Sequence, residues 1–195
     1  MSSKVVVKGV VAQSTFDHIK QKHGPDAWDR CIARLSDSDR LTVNAGVNVP
    51  LDVMGRFNEA LVTEVCGGSR SLAAQEFRDI GAASADKLLL GNGIFSVFAR
   101  FVSPKQVLKR AETVIKTAYP GSTVEVNISS SEEGGVILIH GMAGFPYGSQ
   151  RIVGWLLRGI EIVGGTNARV TERNWDAGKI DSETYELTLS WGGWQ

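Results

Sequence analysis

From Phe145 to Gly165 the chain reads as a turn, an amphipathic helix and a glycine stop. Ile152, Leu156, Gly159, Ile160 and Val163 recur at three- and four-residue spacings and share one helical face. Gly164-Gly165 closes the helix, because glycine accepts the left-handed conformation of a C-terminal cap. Segments that alternate apolar and polar residues flank it on both sides. The pattern predicts a crossover helix packed on a sheet, with Tyr147, Ser149 and Arg151 at its entrance.

The front half carries helical periodicities. Val5 to Ala12 is a short Val-rich run with β preference. Ser14 is placed to cap a helix from Thr15 to Lys22. Pro25 suits the first turn of a second helix, in which Trp28, Ile32 and Leu35 share a face. Ser36-Asp37-Ser38-Asp39 reads as a polar turn with further capping choices. Leu51, Met54, Phe57, Leu61 and Val65 form the stripe of a helix from Leu51 to Cys66. A long helix from about Leu72 to Leu90 has small residues, among them Ala73, Ala74, Gly81 and Ala85, that admit a close neighbour. Phe95, Phe98 and Phe101 recur at helical spacing between Ile94 and Val102. Ser103-Pro104-Lys105-Gln106 supplies a serine cap, a first-turn proline and a capping-box glutamine for a helix reaching Ala118.

The period then changes to two. Val124, Val126 and Ile128 alternate with polar residues, and Val136 to His140 is a second strand. After the crossover helix come a strand from Asn167 to Arg173, a loop from Trp175 to Ser182, and a strand in which Tyr185, Leu187, Leu189 and Trp191 alternate. This predicts an α+β fold: a helical N-terminal half (1–120) packed on a small, mostly antiparallel four-stranded sheet (121–195) of β-β-α-β-β order. Without a linker or repeat between the halves, residues 1–195 read as a single domain.

Composition narrows the function. The 21 basic and 21 acidic residues give a net charge of +0, without the basic excess a nucleic-acid binder carries. No apolar run approaches the ~20 residues of a membrane span. The N-terminus lacks a signal-peptide pattern. Cys31 and Cys66 form no CxxC pair, so no disulfide scaffold or zinc site is expected, and a cytoplasmic location fits. Gly141-Met142-Ala143-Gly144 lacks the Lys-Ser/Thr ending of a phosphate loop. None of His18, His23 and His140 has Ser-His-Asp or metal-ligand spacing, so no enzyme and no metal site is expected.

The opening Lys-Gly-Val-Val with His-Gly-Pro-Asp-Ala-Trp, the Ser-Pro helix at Ser103, and Val153-Gly154-Trp155-Leu156 with Gly159-Ile160-Glu161 resemble a bacterial family of about this length with no assigned activity. That family is similar in turn to haem-nitric-oxide-binding and 4-vinyl-reductase-type domains. The resemblance implies a pocket between the helical half and the sheet. Tyr147, Ser149 and Arg151 match the Tyr-x-Ser-x-Arg pattern that grips haem propionates in the nitric-oxide-binding relatives. Those relatives also use an iron-ligating histidine on the helix that here starts at Ser103, and Ser103 to Tyr119 contains none. The expectation is therefore no cofactor, with haem disfavoured. In the 4-vinyl-reductase-type relatives a cysteine precedes the last strand, where Trp175 stands here.

Together these readings predict a non-enzymatic sensory or regulatory domain that relays ligand occupancy to a protein partner. Tyr147, Ser149 and Arg151 would hold the carboxylate end of a hydrophobic small molecule, and Phe95, Phe98, Phe101 and Trp155 its apolar part. Arginine offers a two-pronged donor to a carboxylate, and the helix N-terminus also favours negative charge. The same residues equally fit a plain helix start, with Ser149 as cap and Arg151 in solvent. The alternative is a homodimeric interaction module whose pocket is filled by core side chains, using the crossover helix and the C-terminal Trp191-Gly192-Gly193-Trp194 as a partner surface.

Overall fold

Helices begin where the sequence supplies caps. The computed structural model describes residues 5–90, 103–131, 133–176 and 178–193. The predicted helix at 94–102, with Phe95, Phe98 and Phe101, lies outside them. Helices α1 (Gly9–His23), α2 (Pro25–Ala33), α3 (Asp37–Ala45), α4 (Leu51–Glu64) and α5 (Arg70–Leu89) form the front half. α6 (Pro104–Ala118) leads into the sheet, and Ser103 and Gln106 close the predicted capping box at its start. Ser69 caps α5 by accepting from the Leu72 amide.

One helix start differs from the expectation. α1 begins at Gly9 rather than Thr15, and Ser14 sits mid-helix with its hydroxyl donated to the Val11 carbonyl at 2.8 Å. Tertiary contact overrides the β preference of the valines. Only β1 (Val6–Val7) is extended, pairing with β2 (Val49–Pro50) in a two-stranded antiparallel sheet. Gly9 packs so tightly that a Cβ there would overlap the carbonyl oxygens of Gly46 and Val47. The polar turn at Ser36 is the start of α3: its hydroxyl accepts from the Asp39 amide, and Gly46 ends the helix at φ 65°.

The main sheet contains β3 (Thr123–Ile128), β4 (Gly134–His140), β5 (Arg169–Glu172) and β6 (Thr184–Ser190) in the order β3-β4-β6-β5, all pairs antiparallel. Ile137 and Ile139 of β4 and Tyr185, Leu187 and Leu189 of β6 face the core. α7 (Gly148–Ile162) crosses from β4 to β5, which run in the same direction with β6 between them. The order departs from β-β-α-β-β in two respects: the extra β1–β2 sheet, and a short helix α8 (Arg173–Asp176) between β5 and β6. Local capping explains the latter, since the Glu172 carboxylate accepts from the amides of Asn174 at 2.9 Å and Trp175 at 2.7 Å.

The contact that positions the site is α5 against α7. A Cβ on Gly81 would overlap the Arg151 carbonyl oxygen, and one on Gly154 would overlap the Arg78 carbonyl oxygen. Glycine on each helix therefore lets the two backbones touch. α7 enters the interior along its whole first turn: Ser149, Gln150 and Arg151 are all buried. No described helix is long and apolar enough to cross a membrane.

Candidate functional site

A cavity of about 350 Å³ lies between four helices. α1 contributes Val10, Val11 and Ser14, and α5 contributes Gly81, Ser84, Lys87 and Leu88. Val114, Ile115 and Ala118 of α6, Tyr119 just beyond it, and Arg151, Ile152 and Trp155 of α7 complete the wall. Most of this lining is aliphatic, with a few convergent polar atoms, as in sites for small organic ligands.

Arg151 dominates the polar part. The residue is 4% exposed. Its Nη2 donates to the Val11 carbonyl at 2.6 Å, Ser14 Oγ at 2.9 Å and Ser84 Oγ at 3.4 Å, and its Nη1 donates to Thr15 Oγ1. Every one of these acceptors is neutral. Among the described residues no carboxylate pairs with the guanidinium. Desolvating a charge without a counter-charge costs several kcal/mol, which these hydrogen bonds to neutral acceptors offset. Burial accordingly pulls the Arg151 guanidinium below its ordinary range, with neighbouring Tyr119 acting in the opposite sense.

Tyr119 is the second polar group. It is 3% exposed, its ring tilts against Phe145 at 5.8 Å, and its amide donates to the Ile115 carbonyl at 2.8 Å. Its hydroxyl has no hydrogen-bond partner among the described residues, although buried tyrosine hydroxyls usually find one. Burial raises the phenol above its ordinary value, and Arg151 opposes that rise. The remaining polar atoms are occupied. Ser14 and Ser84 lie 2.8 Å apart and donate among one another and the Val11 and Ile80 carbonyls, each 2.8 Å from its serine, and Lys87 reaches Asp17 at 3.1 Å.

Of the predicted site residues, the structure brings Arg151 and Trp155 to the cavity. Tyr147 and Ser149 do not line it. Tyr147 is the residue before α7, at φ 61°, with its ring stacked on Phe77 at 5.3 Å and tilted against Trp175 at 5.7 Å. The Asn58 amide group holds the preceding turn by donating to the Pro146 carbonyl at 2.8 Å. Sequence reasoning passed over Ser14, Ser84 and Tyr119. The apolar face of α6 pointed toward Tyr119, but nothing local linked it to Arg151.

A second polar cluster ties α1 to α5. Glu76, buried, accepts from Lys22 at 2.8 Å and meets His18 at 3.0 Å and His23 at 2.9 Å. Burial alone would raise its carboxyl, but hydrogen bonds from His18, Lys22 and His23 overcome this and hold it at about 2. Cys31 and Cys66 are free and buried, and burial pushes both thiols up to about 11, away from reactivity. Among the described residues no group of three or more His, Cys, Asp or Glu side chains is placed to hold a bare metal ion.

Solved structures share this architecture. An Fe(II) unliganded H-NOX protein mutant from K. algicida aligns over 95% of this chain and 97% of its own, with a TM-score of 0.68 at 13% identity. An H-NOX protein from S. oneidensis in the Fe(II)NO ligation state aligns over 95% and 99%, with a TM-score of 0.65 at 10% identity. A structure probing heme distortion in the H-NOX family aligns over 96% of both chains, with a TM-score of 0.65 at 11% identity. The fold is that of H-NOX proteins. No protein-family model matches the chain, and no curated protein matches it significantly by sequence.

These similarities overturn the expectation of no cofactor. Neighbours spanning nearly the whole chain were solved in Fe(II) states or in studies of heme, so a chain of this fold gives no ground for expecting that no cofactor is bound. The expectation failed because it rested on one residue type. A missing histidine between Ser103 and Tyr119 removes one iron ligand. It says nothing of the apolar walls and the guanidinium of the cavity, and side chains other than histidine also ligate haem iron.

Proposed function

We propose that this chain is a sensory domain that binds haem in the cavity between α1, α5, α6 and α7. One observation carries the reading: a buried guanidinium, without a carboxylate partner among the described residues, on the wall of a largely apolar cavity. Haem presents the complement, a flat apolar macrocycle with two carboxylates. Arg151 would pair with a propionate, while Val11, Ile115, Ile152 and Trp155 would contact the ring. When bound, haem supplies an iron centre with an exchangeable coordination position.

The wiring of Arg151 supports a relay. Its N–H groups now serve Val11, Ser14 and Thr15 of α1 and Ser84 of α5. A carboxylate competes for the same donors with a stronger, charge-assisted bond. Ligand entry would loosen α1 from α7, and a protein partner reading the position of α1 would register occupancy.

The test is a hemin titration followed by absorbance, run beside hemin dimethyl ester, which lacks the carboxylates. Tight binding of hemin, weak binding of the ester, and loss of the difference in Arg151→Met support the reading. Equal affinity for both compounds, unaffected by Arg151→Met, overturns the role of Arg151.

A further inference from the structure

On the haem reading above, the cavity wall must answer a second question: which atom meets the iron. α6 carries no histidine, and no histidine, cysteine or methionine lines the cavity among the described residues. The Ser14 and Ser84 hydroxyls are bonded to each other and to main-chain carbonyls. The Lys87 ammonium is engaged by Asp17. One ligating atom is left over, the hydroxyl of Tyr119.

We propose that Tyr119 would hold the iron of ferric haem in this cavity, through its phenolate oxygen. Three observations converge on it. The residue is buried at 3% exposure and its hydroxyl is unpartnered among the described residues, so a ligand would satisfy a group that otherwise gains nothing from burial. It is rigidly placed: it ends α6, its amide is bonded to Ile115, its ring rests on Phe145, and Pro120 follows. It shares the cavity wall with Arg151, the residue given to a haem propionate.

Tyrosine is among the side chains that hold haem iron. The step balances without a redox change. On loading, Tyr119 would give up its phenol proton to solvent and its oxygen would take the place of a water on ferric haem, with no electron transferred. A hard anionic oxygen favours the ferric over the ferrous state, so reduction of the complex should weaken the bond.

The experiment compares wild type, Tyr119→Phe and Tyr119→His, each loaded with hemin and, separately, with metal-free protoporphyrin IX. Visible and electron paramagnetic resonance spectra of the ferric complexes are recorded. The expected result is a phenolate-to-iron charge-transfer band in wild type that Tyr119→Phe loses, together with roughly tenfold or more of its hemin affinity. Tyr119→His should show a nitrogen-ligated spectrum, and protoporphyrin IX should bind all three equally. A wild-type spectrum and affinity retained in Tyr119→Phe overturns the ligand assignment while leaving haem binding intact. Failure of wild type to bind either porphyrin overturns the haem reading itself, and the ligand assignment with it.

Discussion

Replacing Arg151 with methionine separates a functional arginine from a structural one. Methionine fills similar volume without the charge. Removing the guanidinium leaves no acceptor stranded, because each one it serves has another hydrogen bond. Ser14 still has Ser84 at 2.8 Å to donate to, Ser84 the Ile80 carbonyl at 2.8 Å, and Thr15 still donates to the Val11 carbonyl at 3.3 Å. Hydrogen bonds to a charged group contribute about 1.5–3 kcal/mol each. Against this stands the desolvation of an unpaired cation, also several kcal/mol. The two effects nearly cancel, so the apoprotein should change by no more than about 1–2 kcal/mol in either direction. That corresponds to a few degrees in Tm for a chain of this size. Binding should respond far more. Losing a desolvated guanidinium–carboxylate pair costs about 3–5 kcal/mol, or roughly two to nearly four decades of affinity. Urea denaturation of the apoproteins gives the first quantity and hemin titration the second. A loss of more than about 3 kcal/mol in apo stability with hemin affinity unchanged would refute the reasoning and make Arg151 a structural residue.

Three further outcomes follow from the packing and charges. Gly154→Ala places a methyl group against the Arg78 carbonyl and should cost about 1–3 kcal/mol, read as a lowered urea midpoint; an unchanged midpoint would mean that the α5–α7 contact is looser than described. Ser103→Ala removes the α6 cap and should cost about 1 kcal/mol in the same assay. Glu76 is held at about 2 in the folded protein against an ordinary 4.5, so its charged form stabilises the fold above the unfolded value, and that contribution fades as pH falls from about 4.5 toward 2. The advantage of wild type over Glu76→Gln, on the order of 3 kcal/mol at neutral pH, should shrink through that window; a difference independent of pH would contradict the role given to His18, Lys22 and His23.

Local rules recovered the parts of the fold that are locally determined. The capping box of Ser103 and Gln106, the stripe of α7 and the alternation of β6 each depend on neighbours within a few positions, so the sequence displays them directly. The start of α1 does not. It depends on Gly9 meeting Gly46 and Val47, and a valine run by itself reads as a strand. The site was half legible. Arg151 stood out through its motif, but a solvated helix arginine has the same local sequence. Its burial comes from the glycine contact of α7 with α5 and from acceptors on α1 that lie 136 and more positions earlier. Tyr119 looked like the end of a helix before Pro-Gly. Only the folded chain brings its free hydroxyl to the same wall as Arg151.

The most direct test of haem binding is native mass spectrometry of the purified protein, expressed in cells supplied with a haem precursor, beside its denatured mass and visible spectrum. The account predicts a non-covalent adduct with the mass of haem, lost on denaturation, and a matching visible band that is sharply reduced in Arg151→Met. A bare polypeptide mass without visible absorbance, and no uptake of added hemin, would contradict it.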